Sequence, residues 1–270
     1  MMSSIFRFRR LLPSAIAATC ALAGLADAAI ADGPRDRLDV VDRAIQVHGG
    51  DLFSASETEL DICSKSGCFR VRAKVDGDAF EYEVSGKTRD GNLRVLSTNA
   101  SVSAWLDGEA LGLTAEREQT YRDWAMARVY FCFLPYRLND PGVLKEDLGV
   151  ETWDGAELRR VRVTFPPGSS TDADDVYTYW FDEATGRLSR FAYSYSGNPG
   201  GIRFRNLKHF RRVGGLLFFD QENHGTEGPN LHPDGLNPKS VGDLRSISEI
   251  ELRNVKVRPL APEAISDSNE

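Results

Sequence analysis

Two histidines, His224 and His232, share one short stretch with Glu222, Glu227 and Asp234. Such side chains can hold a metal ion, or pass a proton as acid and base. Pro and Gly between them predict a long solvated loop over residues 222–243, and a hydrolase site in that loop is one reading of the chain. The spacing fits no ligand signature. Neither a Gly-x-Ser-x-Gly elbow nor a His-Glu-x-x-His helix occurs anywhere in the sequence. No metal and no cofactor are expected.

Sulfur offers a second chemistry. Cys63 and Cys68 bracket Ser64, Lys65, Ser66 and Gly67, a turn-forming tetrapeptide between two strand-like runs, so a hairpin brings the two thiols together as a disulfide. The closed loop is short, and its entropy stabilises by about 2 kcal/mol, enough to pin a hairpin register. Cys132 sits among Val129, Tyr130, Phe131 and Phe133 and reads as a buried small hydrophobe.

The elements that must position these groups are mostly strands. Phe69, Val71, Ala73 and Val75 alternate with Arg70, Arg72 and Lys74, and Phe80, Tyr82 and Val84 alternate with Glu81, Glu83 and Ser85. This is antiparallel sheet with one wet face, its basic row beside an acidic one. Turns at Asp90-Gly91-Asn92 and Asp107-Gly108-Glu109 continue the meander, and six more strands are predicted over 158–165, 176–182, 188–196, 202–210, 216–221 and 244–257. A sheet of about eleven strands tends to curl, which predicts a mainly β, half-barrel architecture with an N-terminal helix and a central covering helix.

The first helix is expected over residues 36–48, capped by Asp36 and stopped by Gly49-Gly50, with His48, read as structural, in the last turn where a positive charge suits the dipole. The second is expected over residues 114–134. Its latter half, Trp124, Met126 and Val129 through Leu134, is apolar around nearly the whole circumference. Such a segment is either enclosed by protein or covers an apolar cavity.

Residues 1–31 supply an address. Arg7, Arg9 and Arg10 precede an apolar run, and small residues at Ala26, Ala28, Ala29 and Ala31 offer cleavage after Ala28 or Ala31. That is a secretory signal peptide, leaving one domain over residues 32–258 and a disordered tail over 259–270. Cys20 lacks the small residue directly before it that lipidation requires. The 270-residue chain carries a formal charge of −7, which falls to −9 once three Arg and one Asp leave with the signal peptide. No clustered basic stripe exists to meet nucleic acid, and no later segment is apolar enough to span a bilayer.

The order of signal peptide, short helix, long meander and central helix resembles the periplasmic LolA-like group, which includes the carriers LolA and LppX. Ala44 to Gly50 resembles a helix end of an uncharacterised branch, and Tyr177, Tyr179, Trp180, Phe181 and Asp182 with Gly186 and Leu188 resemble its hairpin. Residues 210–219 are similar to its strand pair. The resemblance implies a cavity between a curved sheet and its helices, used by those carriers for acyl chains. The inward arginine associated with lipoprotein handling has no clear counterpart, Arg128 and Arg190 being the candidates. The leading expectation is a non-catalytic periplasmic carrier of a lipid or other amphiphile, gripped by Phe80, Tyr82, Trp105, Trp124, Phe131, Trp180 and Phe204. The alternatives are the hydrolase and an envelope protein-interaction module.

Overall fold

The computed structural model describes residues 39–166, 175–195, 200–228 and 231–260. The signal peptide with both cleavage points, the Asp36 cap and positions 261–270 of the expected tail lie outside them. Helix α1 (Asp39–His48) leads into thirteen strands: β1 (Ala55–Ser64), β2 (Gly67–Asp76), β3 (Ala79–Lys87), β4 (Asn92–Thr98), β5 (Val102–Leu106) and β6 (Glu109–Ala110). After helix α2 (Ala115–Tyr130) come β7 (Leu144–Trp153), β8 (Ala156–Thr164), β9 (Tyr177–Asp182), β10 (Leu188–Tyr195), β11 (Gly201–Val213) and β12 (Leu216–Glu227). A short helix α3 (Pro238–Gly242) precedes β13 (Arg245–Pro259).

All thirteen strands form one antiparallel sheet, curved and not closed, in the order β6-β5-β4-β3-β2-β1-β13-β12-β11-β10-β9-β8-β7. Two sequential meanders meet where the first strand pairs with the last, Thr58 opposite Val257 and Cys63 opposite Glu251. The edges of the sheet are therefore β6 and β7, and the chain between them must cross a whole face. Helix α2 makes that crossing. Its face, which α1 also covers, is called inner below.

Alternation sorts the side chains. In β2 and β3, Val71, Ala73, Tyr82 and Val84 are buried inward, while Arg72 reaches Glu57 at 3.0 Å and Glu81 at 3.3 Å on the outer face. In β9 both faces are buried. Tyr177, Tyr179 and Phe181 join the inner core with Tyr130 and Phe131, whereas Trp180 joins Trp153, Leu158, Ile202, Phe204 and Leu236 on the outer side. Segment 231–244 roofs this outer cluster.

Three expectations change. Strand β7 was not foreseen because Lys145, Glu146, Asp147 and Gly149 break any apolar alternation, as suits an edge strand that must not recruit a neighbour. The strand β13 continues through Pro259, and the Leu260 N–H donates to the Ala55 carbonyl, so those two residues belong to the sheet rather than to a tail. His48 is not a helix-end cation. It is fully buried, its Nε2 accepts the Leu188 N–H at 3.2 Å, and burial, followed by the nearby Arg212 and Arg187, lowers its pKa to about 3. Gly49, at φ 146°, lets the chain turn against Leu216, whose Cδ2 would lie 2.4 Å from any Cβ placed there.

The Cys63–Cys68 disulfide forms across a directly paired position of the β1–β2 hairpin. Replacing both cysteines by serine is expected to keep the fold and lower unfolding free energy by about 2 kcal/mol in denaturant titration. Because unfolded His48 takes up a proton near pH 6.5 and folded His48 only near 3, its contribution is complete above about pH 6.5 and lost as pH falls toward 3. His48→Gln should flatten the stability profile in that window, by on the order of 4 kcal/mol at its lower end, measured against wild type.

Candidate functional site

Helix α2 starts at Thr114, whose hydroxyl accepts the Arg117 N–H at 3.4 Å, and it ends at Tyr130 rather than Leu134. It lies over β3, β4 and β5. The two ends of this roof differ. From Val129 to Leu134 every side chain is buried, and the space beneath is filled: Phe131 stacks on Phe191 at 5.4 Å and Tyr193 at 5.7 Å, and Phe133 meets Phe53 and Phe218 edge-on. The Gln221 Nε2 donates to the Phe131 carbonyl at 3.2 Å, tying the end of the roof to β12. Here the apolar segment is enclosed, as one of its two readings requires.

Toward its start the helix seals less. Tyr121, Trp124 and Met126 are only half-buried, and so are Phe69, Phe80, Leu106 and Leu113, all packed against the same core. Trp124 meets Phe69 edge-on at 5.5 Å. Arg128 lies across both rings, 3.8 Å from the Trp124 centroid and 4.6 Å from that of Phe69. Burial pulls its pKa down to about 10, so it stays charged at neutral pH, and its Nη1 donates to the Trp124 carbonyl at 2.8 Å. The result is a greasy seam between α2 and the first arm of the sheet, with a cation at its inner end.

Of the seven aromatics expected to grip a guest, Phe80, Tyr82, Trp124 and Phe131 lie on this inner face. Tyr82 is buried and its hydroxyl accepts from Arg137 Nη1 at 3.3 Å. The other three are corrected. Trp105 alternates with the core residues Val102 and Ala104 and so points outward, under the Arg94 guanidinium at 3.8 Å. Trp180 and Phe204 belong to the outer cluster beneath segment 231–244. In Tyr177–Asp182, consecutive aromatics mask which residues share a face, so the sequence could not separate Trp180 from Tyr179. Parity with the flanking strands was the available signal for Tyr179, Phe191 and Tyr193, which are among the inner-face aromatics that were missed. Arg128 is an inward arginine, whereas Arg190 lies on the outer face over Trp153.

The expected loop 222–243 is largely ordered structure. Glu222, His224 and Glu227 belong to β12, and α3 carries an Asn237 capping box. His232 instead sits 3.3 Å from Asp234, whose carboxylate is already held by Thr178 at 2.5 Å and by Arg162. His224 borders a separate outer-face cleft of about 340 Å³ with Glu222, Asn206 and Arg190, floored by Trp153 and Phe204. Hydrogen bonds from Asn206 and Lys208 hold the Glu222 carboxyl below its ordinary range, which makes it a poor proton donor. Among the described residues no three His, Cys, Asp or Glu side chains converge on a metal-sized site. Burial raises the Cys132 thiol to about 12, too high for a nucleophile. A second, open depression of about 600 Å³ surrounds Trp105 and Arg94 on the outer face.

Residues 40–228 match the family of unknown function DUF6503, and the chain belongs to that family. A search of curated proteins found no match. Among solved structures the chain is similar to a LolA superfamily protein from Nitrosomonas europaea, at 11% identity and TM-score 0.47, covering 82% of this chain and 93% of that one. It is also similar to a DUF1329 family protein from Desulfovibrio piger, at 11% identity and TM-score 0.46, with 80% and 91% covered. For the lipoprotein LppX of Mycobacterium tuberculosis the identity is 13% and the TM-score 0.28, with 72% and 98% covered. No helix among the described residues is long and apolar enough to cross a membrane.

The sealed and unsealed ends of α2 make different demands on stability. Leu134→Ala, in the filled part, is expected to cost roughly 2–5 kcal/mol, and Leu113→Ala, at the seam, about 1 kcal/mol, both read by denaturant unfolding.

Proposed function

We propose that this protein is a non-catalytic binding protein or carrier for a lipid or similar amphiphile, which lays its chain in the seam between α2 and strands β2 to β5. The observation that carries this reading is the row of half-buried apolar side chains, Phe69, Phe80, Leu106, Leu113, Tyr121 and Trp124, left beneath an incompletely sealed helix. Apolar groups contributed by both walls of one seam form a contiguous surface, the kind that marks a binding groove. Each methylene withdrawn from water there contributes about 0.8 kcal/mol, so about ten give ~8 kcal/mol before the cost of ordering the guest. Since that cost must be subtracted, about ten methylenes alone set a micromolar Kd as the tightest limit. The motifs shared with the LolA-like group support the same reading, and the disulfide together with the signal peptide read from residues 1–31 supports an extracytoplasmic address.

Two measurements test it. Organic extraction of protein purified from the envelope, followed by mass spectrometry, is expected to release a stoichiometric amphiphile. The purified protein should also take up the neutral probe N-phenyl-1-naphthylamine, with Trp124→Ala weakening uptake about tenfold and Trp105→Ala, on the opposite face, leaving it unchanged. Protein that carries nothing and takes up no probe sinks the proposal.

A further inference from the structure

Beyond the apolar seam, the inner face holds a set of arginines whose charge nothing in the fold answers. Arg205 is only 7% exposed, yet its Nε and Nη1 are both buried without a hydrogen-bond partner. It stands on β11 opposite Phe191 and Asn223, and its guanidinium lies 5.9 Å from the centroid of Phe131. Arg203, two residues before it and on the same face, lies over Tyr195 at 4.5 Å and donates only to a backbone carbonyl. Arg128, on the last turn of α2, instead lies over Trp124 and Phe69 and donates to the Trp124 carbonyl. Neither Arg128 nor Arg205 has a carboxylate at ion-pair distance among the described residues.

Other arginines are answered. On the outer face Arg72 is bracketed by Glu57 and Glu81 and Arg162 by Glu146 and Asp234, and on the inner side Arg159 meets Asp147 and Glu183 and Arg137 meets Asp140. Carboxylates therefore answer arginines on both sides of the sheet, and Arg205 stands apart from them in having none. A buried guanidinium without a counter-charge is costly to keep. Two acceptors complete the surroundings: Asn223 Oδ1, directly opposite Arg205, and Gln221 Oε1, opposite Leu207 on the same face, are also buried without a partner. Arg205 thus offers a buried cation with two neutral acceptors at its side, suited to an acid group that also bears a hydroxyl or ester.

We infer that Arg205, beside Phe131, receives the anionic headgroup of the amphiphile whose chain occupies the seam, so that the ligand class is an acidic rather than a neutral lipid. This rests on the carrier reading and adds to it the charge of the guest. The shared chemistry is a carboxylate or a phosphate ester on a single acyl or alkyl chain. Phe131, which lies over Arg205, is the side chain that must shift to admit the headgroup.

Displacement of N-phenyl-1-naphthylamine by laurate, dodecyl phosphate and dodecanol, which share one chain length, tests the inference on the full mature protein. Wild type is expected to prefer an acid to the alcohol by at least about tenfold, and whichever acid wins identifies the headgroup chemistry. Arg205→Gln should bring that ratio toward one by weakening the acids more than dodecanol. Arg205→Lys should retain part of it. Ligand-free Arg205→Met should melt no lower than wild type, because the substitution removes an unanswered buried charge. Equal binding of acids and alcohol by wild type overturns the headgroup site and leaves the carrier reading standing. Failure to bind any of the three, or the probe, overturns the carrier reading and this inference with it. A lower melting temperature for Arg205→Met, with the acid preference kept, assigns Arg205 to structure and overturns the inference too.

Discussion

The pairing of β1 with β13 governs everything else in this molecule. It joins residues near position 60 to residues near position 255 and so fuses two sequential meanders into one sheet. Once the first and last strands occupy the middle, β6 and β7 become the two outer edges, although only the segment carrying α2 separates them in sequence. That segment has no route except across a face. The roof over the inner surface is thus a topological consequence of a long-range strand pair, and the entropy of closing so long a loop is offset by the ladder and the burial that the pair makes possible.

A helix laid diagonally across a curved sheet cannot touch it evenly. At its C-terminal end α2 meets the second meander and α1, where Phe131, Phe133 and Leu134 fill the gap with aromatic and aliphatic contacts. Near its start it rests only on the outer strands of the first meander, and its first turns are solvent-exposed. The half-buried side chains of the seam follow from that geometry. On the same face Arg128, Arg203 and Arg205 meet aromatic rings.

Elsewhere the second meander is covered on both sides. Segment 231–244 caps Trp153, Trp180 and Phe204, and Asp234 locks it to β8 and β9 through Arg162 and Thr178. This explains why polar residues that look catalytic in sequence are instead engaged. Asp234 is a tether, and His224 belongs to a strand.

Much was legible from residue order alone. The alternation in residues 69–84, the turns, the Cys63–Cys68 pairing, the start of the second helix near residue 114 and the curled antiparallel class all rest on contacts between near neighbours, which local pattern encodes. Tertiary structure alone decided which face each aromatic of a two-sided strand occupies, that His48 is neutral, that β7 exists, and that Arg205 lies buried beside Phe131. These depend on partners far away in the chain. A side chain's burial and the cost of its charge are set by what the fold brings against it, and no spacing within a strand records that.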